Sequence, residues 1–340
     1  MRLLFIGFGT VGQGLSELLL EKRDELAASY GFDAVVVGIS DMLKGSAYDP
    51  DGLDLAAALA RVGRGESLSD WPSVGRSWDA PTMIAEAEAD VMLEATYTDI
   101  STGQPATDHI RAALERGMHV TTTNKGPLAL HSRELIESAR KGGLQFLYEG
   151  TVMAGTPLLN LIRETLAGAA IHEMRGILNG TTNYILTQME GGMDYAAALA
   201  QAQQLGYAEA VPDADVLGWD ALAKVTILAN VVFGAGLKPS DSPCQGITEI
   251  SSADIVRAAA DGQRYKLIGR VWRDGAGVHA SVAPQRLPST HPLAGVGGAT
   301  NAMTITTDAL GEVTIIGPGA GRRQTGFALL NDLLTMWRHS

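Results

Sequence analysis

Asp220 and Lys224 stand four residues apart in the run Gly218-Trp219-Asp220-Ala221-Leu222-Ala223-Lys224, and an apolar continuation to Val232 predicts a helix. The i, i+4 spacing puts the carboxylate and the ammonium on one face. Such a pair is either a plain helix salt bridge or a lysine held ready to move a proton. Asp215, just upstream, reads as an N-cap. A second lysine, Lys125, lies in Thr123-Asn124-Lys125-Gly126-Pro127, read as a loop after the strand His119–Thr122. Loops at the ends of parallel strands line the ligand crevice. Lys125 is therefore a candidate for chemistry as well as for an ordinary solvated loop lysine.

A third signal is Gly7-Phe8-Gly9-Thr10-Val11-Gly12, placed between the apolar run Arg2–Ile6 and an amphipathic helix carrying Val11, Leu15, Leu18, Leu19 and Leu26. Strand, G-x-G-x-x-G and helix form the dinucleotide-binding arrangement. Gly7 makes the tight turn, Gly9 admits the pyrophosphate, and Gly12 lets helix pack on strand. The amides opening the helix hold the phosphates. The next strand, Ala34–Ile39, ends at Ser40-Asp41. Asp41 there would accept from a ribose 2′-hydroxyl and favour NAD, while Lys44 nearby would favour NADP, so the choice stays open.

These groups need a scaffold, and the pattern supplies one. The stretch 46–80 is polar, with a helix over Leu53–Arg64. Val91–Ala95 reads as a buried strand leading into a loop from Thr96, followed by a helix over Ala106–Arg116. His119–Thr122 is a strand, Arg133–Lys141 a helix and Leu144–Tyr148 a strand. Strands alternating with helices imply a parallel sheet wound on both faces. The period changes after Tyr148, so a second domain of mixed α+β character is expected over 147–306. The first domain is expected over 1–146 and again over 307–340. In that tail, Gly317-Pro318-Gly319-Ala320-Gly321 opens the last helix beside the nucleotide.

Composition removes several functions. The chain has 340 residues and a formal charge of −12, without a basic run, which argues against nucleic acid or an anionic membrane as partner. Its longest apolar run, Val225–Leu237, is shorter than the ~20 residues of a membrane-spanning helix. One cysteine, Cys244, excludes a disulfide framework, and the 7 histidines show no metal-ligand spacing. The reducing cytoplasm is the expected compartment.

The sequence resembles the homoserine dehydrogenase family along essentially its whole length. The matching stretches are GFGTVGQG at 7–14, TNKGPL at 123–128, EGTVMAGTP at 149–157, GILNGTTNYIL at 176–186, GYAE with DALAK between 206 and 224, HPL at 291–293 and GPGAGRRQTGFALLNDLL at 317–334. The resemblance implies NAD(P)-dependent interconversion of L-aspartate 4-semialdehyde and L-homoserine. It also implies a Rossmann-type domain, a substrate domain that pairs subunits into a homodimer, and a sodium or potassium ion near the hinge. Lys125 and Lys224 match the family's lysines at the reacting centre. Asp220 and Asp215 match the aspartates that organise them and bind substrate. Glu209 matches the carboxylate for the substrate amino group, and Gly180, Thr181 and Tyr207 match substrate-cleft positions. Glu149 and the carbonyls of Val152, Ala154 and Thr156 match the cation site. The cofactor is expected at Gly7, Phe8, Gly9, Thr10, Val11, Gly12, Asp41, Thr96, Lys125 and Gly321.

The chemistry is consistent. Aldehyde reduction needs a hydride donor and a proton for the developing alkoxide, which an ammonium can give while stabilising the charge. Two lysines at one site would also depress each other's pKa. Departures raise alternatives. Ala210-Val211-Pro212 stands where the family carries Ala-Asp-Pro, and Gly150 and Met153 are unusual in the cation loop. A paralogue acting on another hydroxy amino acid or semialdehyde is one competing reading. A dinucleotide sensor is another, disfavoured by the five charged candidates together. The end at Ser340 leaves the expectation that no ACT or aspartate kinase domain follows, and hence no threonine feedback through one.

Overall fold

The computed structural model describes residues 1–71 and 76–339. Positions 72–75 of the polar stretch 46–80, and Ser340 of the tail, lie outside the described residues. Along the chain come β1 (Arg2–Ile6), α1 (Thr10–Tyr30), β2 (Val35–Asp41), β3 (Gly45–Tyr48), α2 (Leu55–Gly63), α3 (Ala80–Glu86), β4 (Val91–Glu94), α4 (Ala106–Glu115), β5 (His119–Thr122), α5 (Lys125–Lys141) and β6 (Phe146–Leu147). Then follow α6 (Leu158–Asn160), β7 (Ile171–Ile177), α7 (Gly180–Glu190), α8 (Tyr195–Gln204), α9 (Asp213–Val216), α10 (Trp219–Val231) and α11 (Ser252–Ala260). The last elements are β8 (Gln263–Asp274), β9 (Gly277–Pro288), β10 (Thr300–Thr307), β11 (Gly311–Pro318) and α12 (Arg322–Arg338). They form two compact units, Met1–Gly155 with Gly321–Ser340, and Thr156–Ala320.

The first unit is built on a six-stranded sheet ordered β3-β2-β1-β4-β5-β6. All neighbours run parallel except β3, which turns back on β2. β1 is apolar throughout Leu3–Ile6 because both its faces are covered, and these four residues are at most 1% exposed. Leu15 and Leu18 of α1 and Leu329, Leu330 and Leu333 of α12 share one core with Leu3 and Phe5. The two helices meet over glycines: a Cβ on Gly14 would sit 2.3 Å from the Arg322 carbonyl oxygen, and one on Gly326 2.6 Å from the Gly14 carbonyl carbon. Asp332 of α12 is fully buried and accepts from Thr121 Oγ1 at 2.7 Å and from the Glu149 amide at 3.1 Å.

The second unit is a five-stranded antiparallel sheet ordered β11-β10-β7-β8-β9. β11 belongs to it because it pairs with β10 from Thr307↔Gly311 to Thr300↔Pro318. α10 packs on β8 and β9. Gly269 of β8 allows the close approach, since a Cβ there would lie 2.6 Å from Val225 of α10.

Three local expectations are corrected. The stretch 46–80 hides most of β3, whose four residues are too few to show an alternating pattern. The helix expected from Arg133 begins at Lys125, because Asn124 caps it by accepting from the Gly126 amide at 3.2 Å. Pro127 does not break the first turn, where its missing N–H has no helical partner to lose. Asp215 is not the cap of α10. It lies in the short helix α9, and the capping position is Gly218 at φ +86°.

The α1–α12 contact yields a prediction. Gly14→Ala forces a methyl into the Arg322 backbone, and overpacking of this kind costs about 1–3 kcal/mol. Urea denaturation should show the midpoint falling with an unchanged slope.

Candidate active site

The second unit gathers its polar candidates where β7 runs into α7. Leu178 and Asn179 leave the strand, and Asn179 caps α7, its Oδ1 accepting from the Thr182 amide at 2.9 Å. Its Nδ2 donates to Asp215 Oδ1 at 2.6 Å and to Asp220 Oδ2 at 2.9 Å. Lys224 lies one turn after Asp220 and is 8% exposed. Its Nζ donates to the same Asp220 Oδ2 and to the Leu178 carbonyl, both at 2.7 Å. An ammonium has three N–H donors, so one remains for a further acceptor. Asn301, fully buried, donates to the Leu178 carbonyl as well, at 3.0 Å.

Burial, and then the charge of Asp220, raises the Asp215 carboxyl above its ordinary range; hydrogen bonds from Asn179 and Thr181 and the charge of Lys224 pull it only partly back. The one Thr181 hydroxyl hydrogen is shared with the Tyr207 carbonyl, 2.5 Å from Oγ1. The Tyr207 ring packs at 5.1 Å from Tyr184. Gly180 sits where a Cβ would come 2.6 Å from the Ala299 carbonyl oxygen. Glu209 is exposed, and its carboxylate has no hydrogen bond or ion pair among the described residues. The structure thus joins Thr181, Tyr207, Asp215, Asp220 and Lys224 in one network and leaves Glu209 outside it.

In the first unit the loop between β1 and α1 gives each of its glycines different surroundings. Gly7 has φ +98°, and a Cβ there would strike the Ala95 carbonyl oxygen at 2.4 Å. A Cβ on Gly12 would lie 2.8 Å from the Gly7 carbonyl oxygen, whereas one on Gly9 would meet nothing within 4 Å. Crowding at Gly7 and Gly12, with open space at Gly9, fits a backbone that a pyrophosphate approaches. No side chain caps α1 at Gly9 and no acid stands in its first turn, so its amides are oriented for an anion. Phe8 turns its ring into the core, fully buried, and its amide donates to Asp41 Oδ2 at 2.7 Å. Asp41 Oδ1 takes the amides of Leu43 and Lys44 at 2.9 and 3.0 Å. Gly321 is the capping position of α12, at φ +129°.

Glu94 was absent from the candidate residues. It is fully buried at the end of β4, between Ile6 and Thr122 in the ladders. Its Oε1 accepts from the Thr96 amide at 3.2 Å and from Thr96 Oγ1, and its Oε2 from Thr122 Oγ1 at 3.1 Å. Thr122 Oγ1 in turn receives the Asn124 amide at 3.0 Å, and Asn124 Nδ2 donates to the Tyr97 carbonyl at 2.9 Å. One carboxylate thereby ties the Thr96 loop to the cap of the helix that opens with half-buried Lys125. An acid at the end of an otherwise apolar strand was the signal available for it.

After β6 the loop carrying Glu149 is buried, with Glu149 at 1% and Val152 at 0% exposure. Met153 and Ala154 take φ values of +62° and +48°. Left-handed non-glycine residues in succession are strained, and such strain gathers at ligand loops. Thr156, which opens the second unit, donates to the Pro318 carbonyl at 2.9 Å.

Residues 157–334 match the family model described as homoserine dehydrogenase, and residues 7–149 that described as homoserine dehydrogenase, NAD binding domain. The chain belongs to the homoserine dehydrogenase family. It is 47% identical to the NAD(+)-dependent homoserine dehydrogenase of Pseudomonas canavaninivorans, over 98% of this chain and 95% of that one. It is 40% identical to the homoserine dehydrogenase of Methanocaldococcus jannaschii, over 99% and 98%. A crystal structure of the Thiobacillus denitrificans homoserine dehydrogenase superposes with a TM-score of 0.85 at 31% identity, over 99% of this chain and 73% of that chain. A hyperthermophilic archaeal homoserine dehydrogenase in complex with NADPH does so with 0.84 at 30% identity, over 100% and 98%. The fold expectation holds: a Rossmann-type parallel sheet and a second, antiparallel α+β unit. This homoserine dehydrogenase family member binds NAD(P).

The Glu94 network yields a prediction. Glu94→Gln keeps the shape but gives one of the two threonine hydroxyls an amide nitrogen that cannot accept from it. Stability should fall by about 1–3 kcal/mol, and titration with NAD(P)H should show weaker binding. Unchanged values in both measurements would remove the role given to Glu94.

Proposed function

We propose that the protein interconverts L-aspartate 4-semialdehyde and L-homoserine, with Lys224 giving the proton to the developing alkoxide. The observation that carries this is the buried Lys224 ammonium, two of whose donors are engaged by the Leu178 carbonyl and Asp220 while one remains. Held this way, the ammonium has a fixed direction and an anionic partner in Asp220. The nicotinamide cofactor supplies or accepts the hydride when bound. Asp215 and Glu209 provide negative charge for the substrate's α-ammonium group, with Thr181, Gly180 and Tyr207 beside them. Lys125, at the start of α5, is the second lysine of the reaction. The departure from the family's run falls at Val211, which is 74% exposed.

NAD is the preferred cofactor on this reading. Asp41 places a carboxylate at the end of β2, fixed by three backbone amides. The next two residues, Met42 and Leu43, are 84% and 85% exposed and carry no charge to meet a 2′-phosphate. The NAD(+)-dependent Pseudomonas relative supports the same choice. The strained loop would hold a monovalent cation, with Glu149 giving the charge and the carbonyls of Val152, Ala154 and Thr156 the remaining oxygens. Such an ion is bound by oxygen ligands and would fix the loop. A cytoplasmic homodimer completes the reading. It is supported by the family resemblance and by edge strand β11 leaving Ile316 54% exposed.

Following NAD(P)H absorbance with homoserine and related hydroxy amino acids tests the assignment. Wild type should turn over homoserine, and Lys224→Ala should lose about 10²- to 10⁴-fold in kcat. Activity confined to another hydroxy amino acid would overturn it. For the cofactor, kcat/KM should favour NAD over NADP by at least about tenfold, equivalent to 1.4 kcal/mol, and Met42→Arg should narrow the ratio.

Asp215 gives a further expectation. A carboxyl whose folded value exceeds its unfolded one binds a proton on folding. Stability therefore falls as pH rises from the unfolded value through the folded one, and at neutral pH the ionised group is a net burden. Asp215→Asn should raise Tm at neutral pH while lowering homoserine turnover, as thermal scans beside the activity assay would show.

A further inference from the structure

We propose that Asn179 is a positioning residue for the reaction, one that holds the Asp215 and Asp220 carboxylates side by side and so fixes the Lys224 ammonium. The proposal rests on the reading of Lys224 as proton donor. Asn179 is not among the residues that the sequence comparison with the family assigned to the site. It enters through geometry: both hydrogens of one amide nitrogen are engaged, at 2.6 Å by Asp215 and 2.9 Å by Asp220.

The amide cannot turn round. Its oxygen caps α7, accepting from the Thr182 amide at 2.9 Å and from Thr182 Oγ1 at 3.0 Å. With the oxygen fixed by a backbone donor, the nitrogen must face the carboxylates. Two neighbouring carboxylates repel, and one of them tends to protonate. A neutral double donor eases that repulsion without adding a charge, which a lysine in its place would do. The nitrogen meets Asp215 of α9 and Asp220 of α10, and the other groups acting on these carboxylates are Lys224 of α10 and Thr181 of α7.

The choice of atom matters as much as the count. Asn179 donates to Asp220 Oδ2, the same oxygen that accepts from Lys224. A second donor on that oxygen lowers its affinity for a proton. Passage of a Lys224 proton to Asp220 is thereby disfavoured relative to its passage to a developing alkoxide. Asp215 accepts from the other hydrogen, a bond that favours its charged form.

Asn179→Ser separates this role from folding. Serine is as good a cap as asparagine but cannot reach two carboxylates with two donors. The expected result is a kcat about 10- to 100-fold lower, the range for lost hydrogen bonds to charged groups. NAD(P)H affinity should be unchanged, and the acid limb of the kcat profile should move to higher pH. Asn179→Asp keeps the shape and the cap but adds a third carboxylate, and should move that limb further. Carbon-13 NMR titration of the aspartate carboxyls reads Asp215 without any substrate, and its midpoint should rise in both variants. That measurement decides the carboxylate holding even if wild type fails on homoserine, an outcome that would overturn the substrate reading alone. An unmoved carboxyl titration overturns the proposal. So does a moved titration with wild-type kcat on the enzyme's substrate, or failure of both variants to fold, which would leave Asn179 a folding residue only.

Discussion

A lysine ammonium taken out of water must be given oxygens, and the second unit is arranged around that requirement at Lys224. The side chain is 10% exposed and its partner Asp220 18%. Removing one member of so buried a pair typically costs about 3–5 kcal/mol, because the remaining charge is stranded. The helical period places Asp220 within reach, but one carboxylate satisfies only part of an ammonium. The Leu178 carbonyl supplies the second acceptor because β7 ends there and its backbone turns away toward α7. That turn in turn needs Asn179 as its cap, and the cap's nitrogen meets the carboxylates. Strand end, helix start and salt bridge meet at one buried charge, the group proposed as proton donor.

The first unit answers a different constraint, the need to bring a polyanion against backbone. Its glycines have separate steric causes: Gly7 is left-handed against the Ala95 carbonyl, Gly12 is pressed on Gly7, and Gly9 faces open space. Asp41 is drawn into that loop by the Phe8 amide, so one group both holds the loop and sets the charge at the end of β2. Glu94 does comparable work across two strand ends. Both acids act first on backbone and hydroxyl donors, and any effect on the cofactor passes through the loops they hold.

How much of this could be read in the sequence follows from how local each cause is. The glycine loop was legible because strand, turn and helix are contiguous, and Asp220–Lys224 because one helical turn joins them. The core strands Arg2–Ile6 and His119–Thr122 announced themselves by unbroken apolar or β-branched runs. Asn179 was not legible as a positioning residue, since its carboxylate partners lie 36 and 41 positions away. Asp215 had the composition and place of a cap, yet Gly218 occupies that position and frees the carboxylate for Asn179. The start of α5 was hidden by Gly126-Pro127, a pair that signals a break inside a helix and is tolerated in its first turn. Glu94 stood in plain view as an acid in an apolar strand, but only the fold shows that three threonine donors converge on it.

The features that most resemble faults are concentrated where the chemistry is proposed. Met153 and Ala154 adopt a backbone that L-residues avoid, at a cost of about 1–3 kcal/mol each. Asp215 is carried above its normal range by burial although two hydrogen bonds and Lys224 oppose the shift, so desolvation outweighs them. A sequence selected for stability alone would relax both, with glycine at the strained positions and an amide at 215. Surface loops of the same chain do adopt such relief, placing glycine at Gly31, Gly65 and Gly117 where φ is positive. On the proposed reading, the strain and the buried charge are retained for the cation and the substrate they would hold. Strain that fixes carbonyl directions and a carboxylate kept in a dry site both exchange folding stability for a binding surface organised before the ligand arrives.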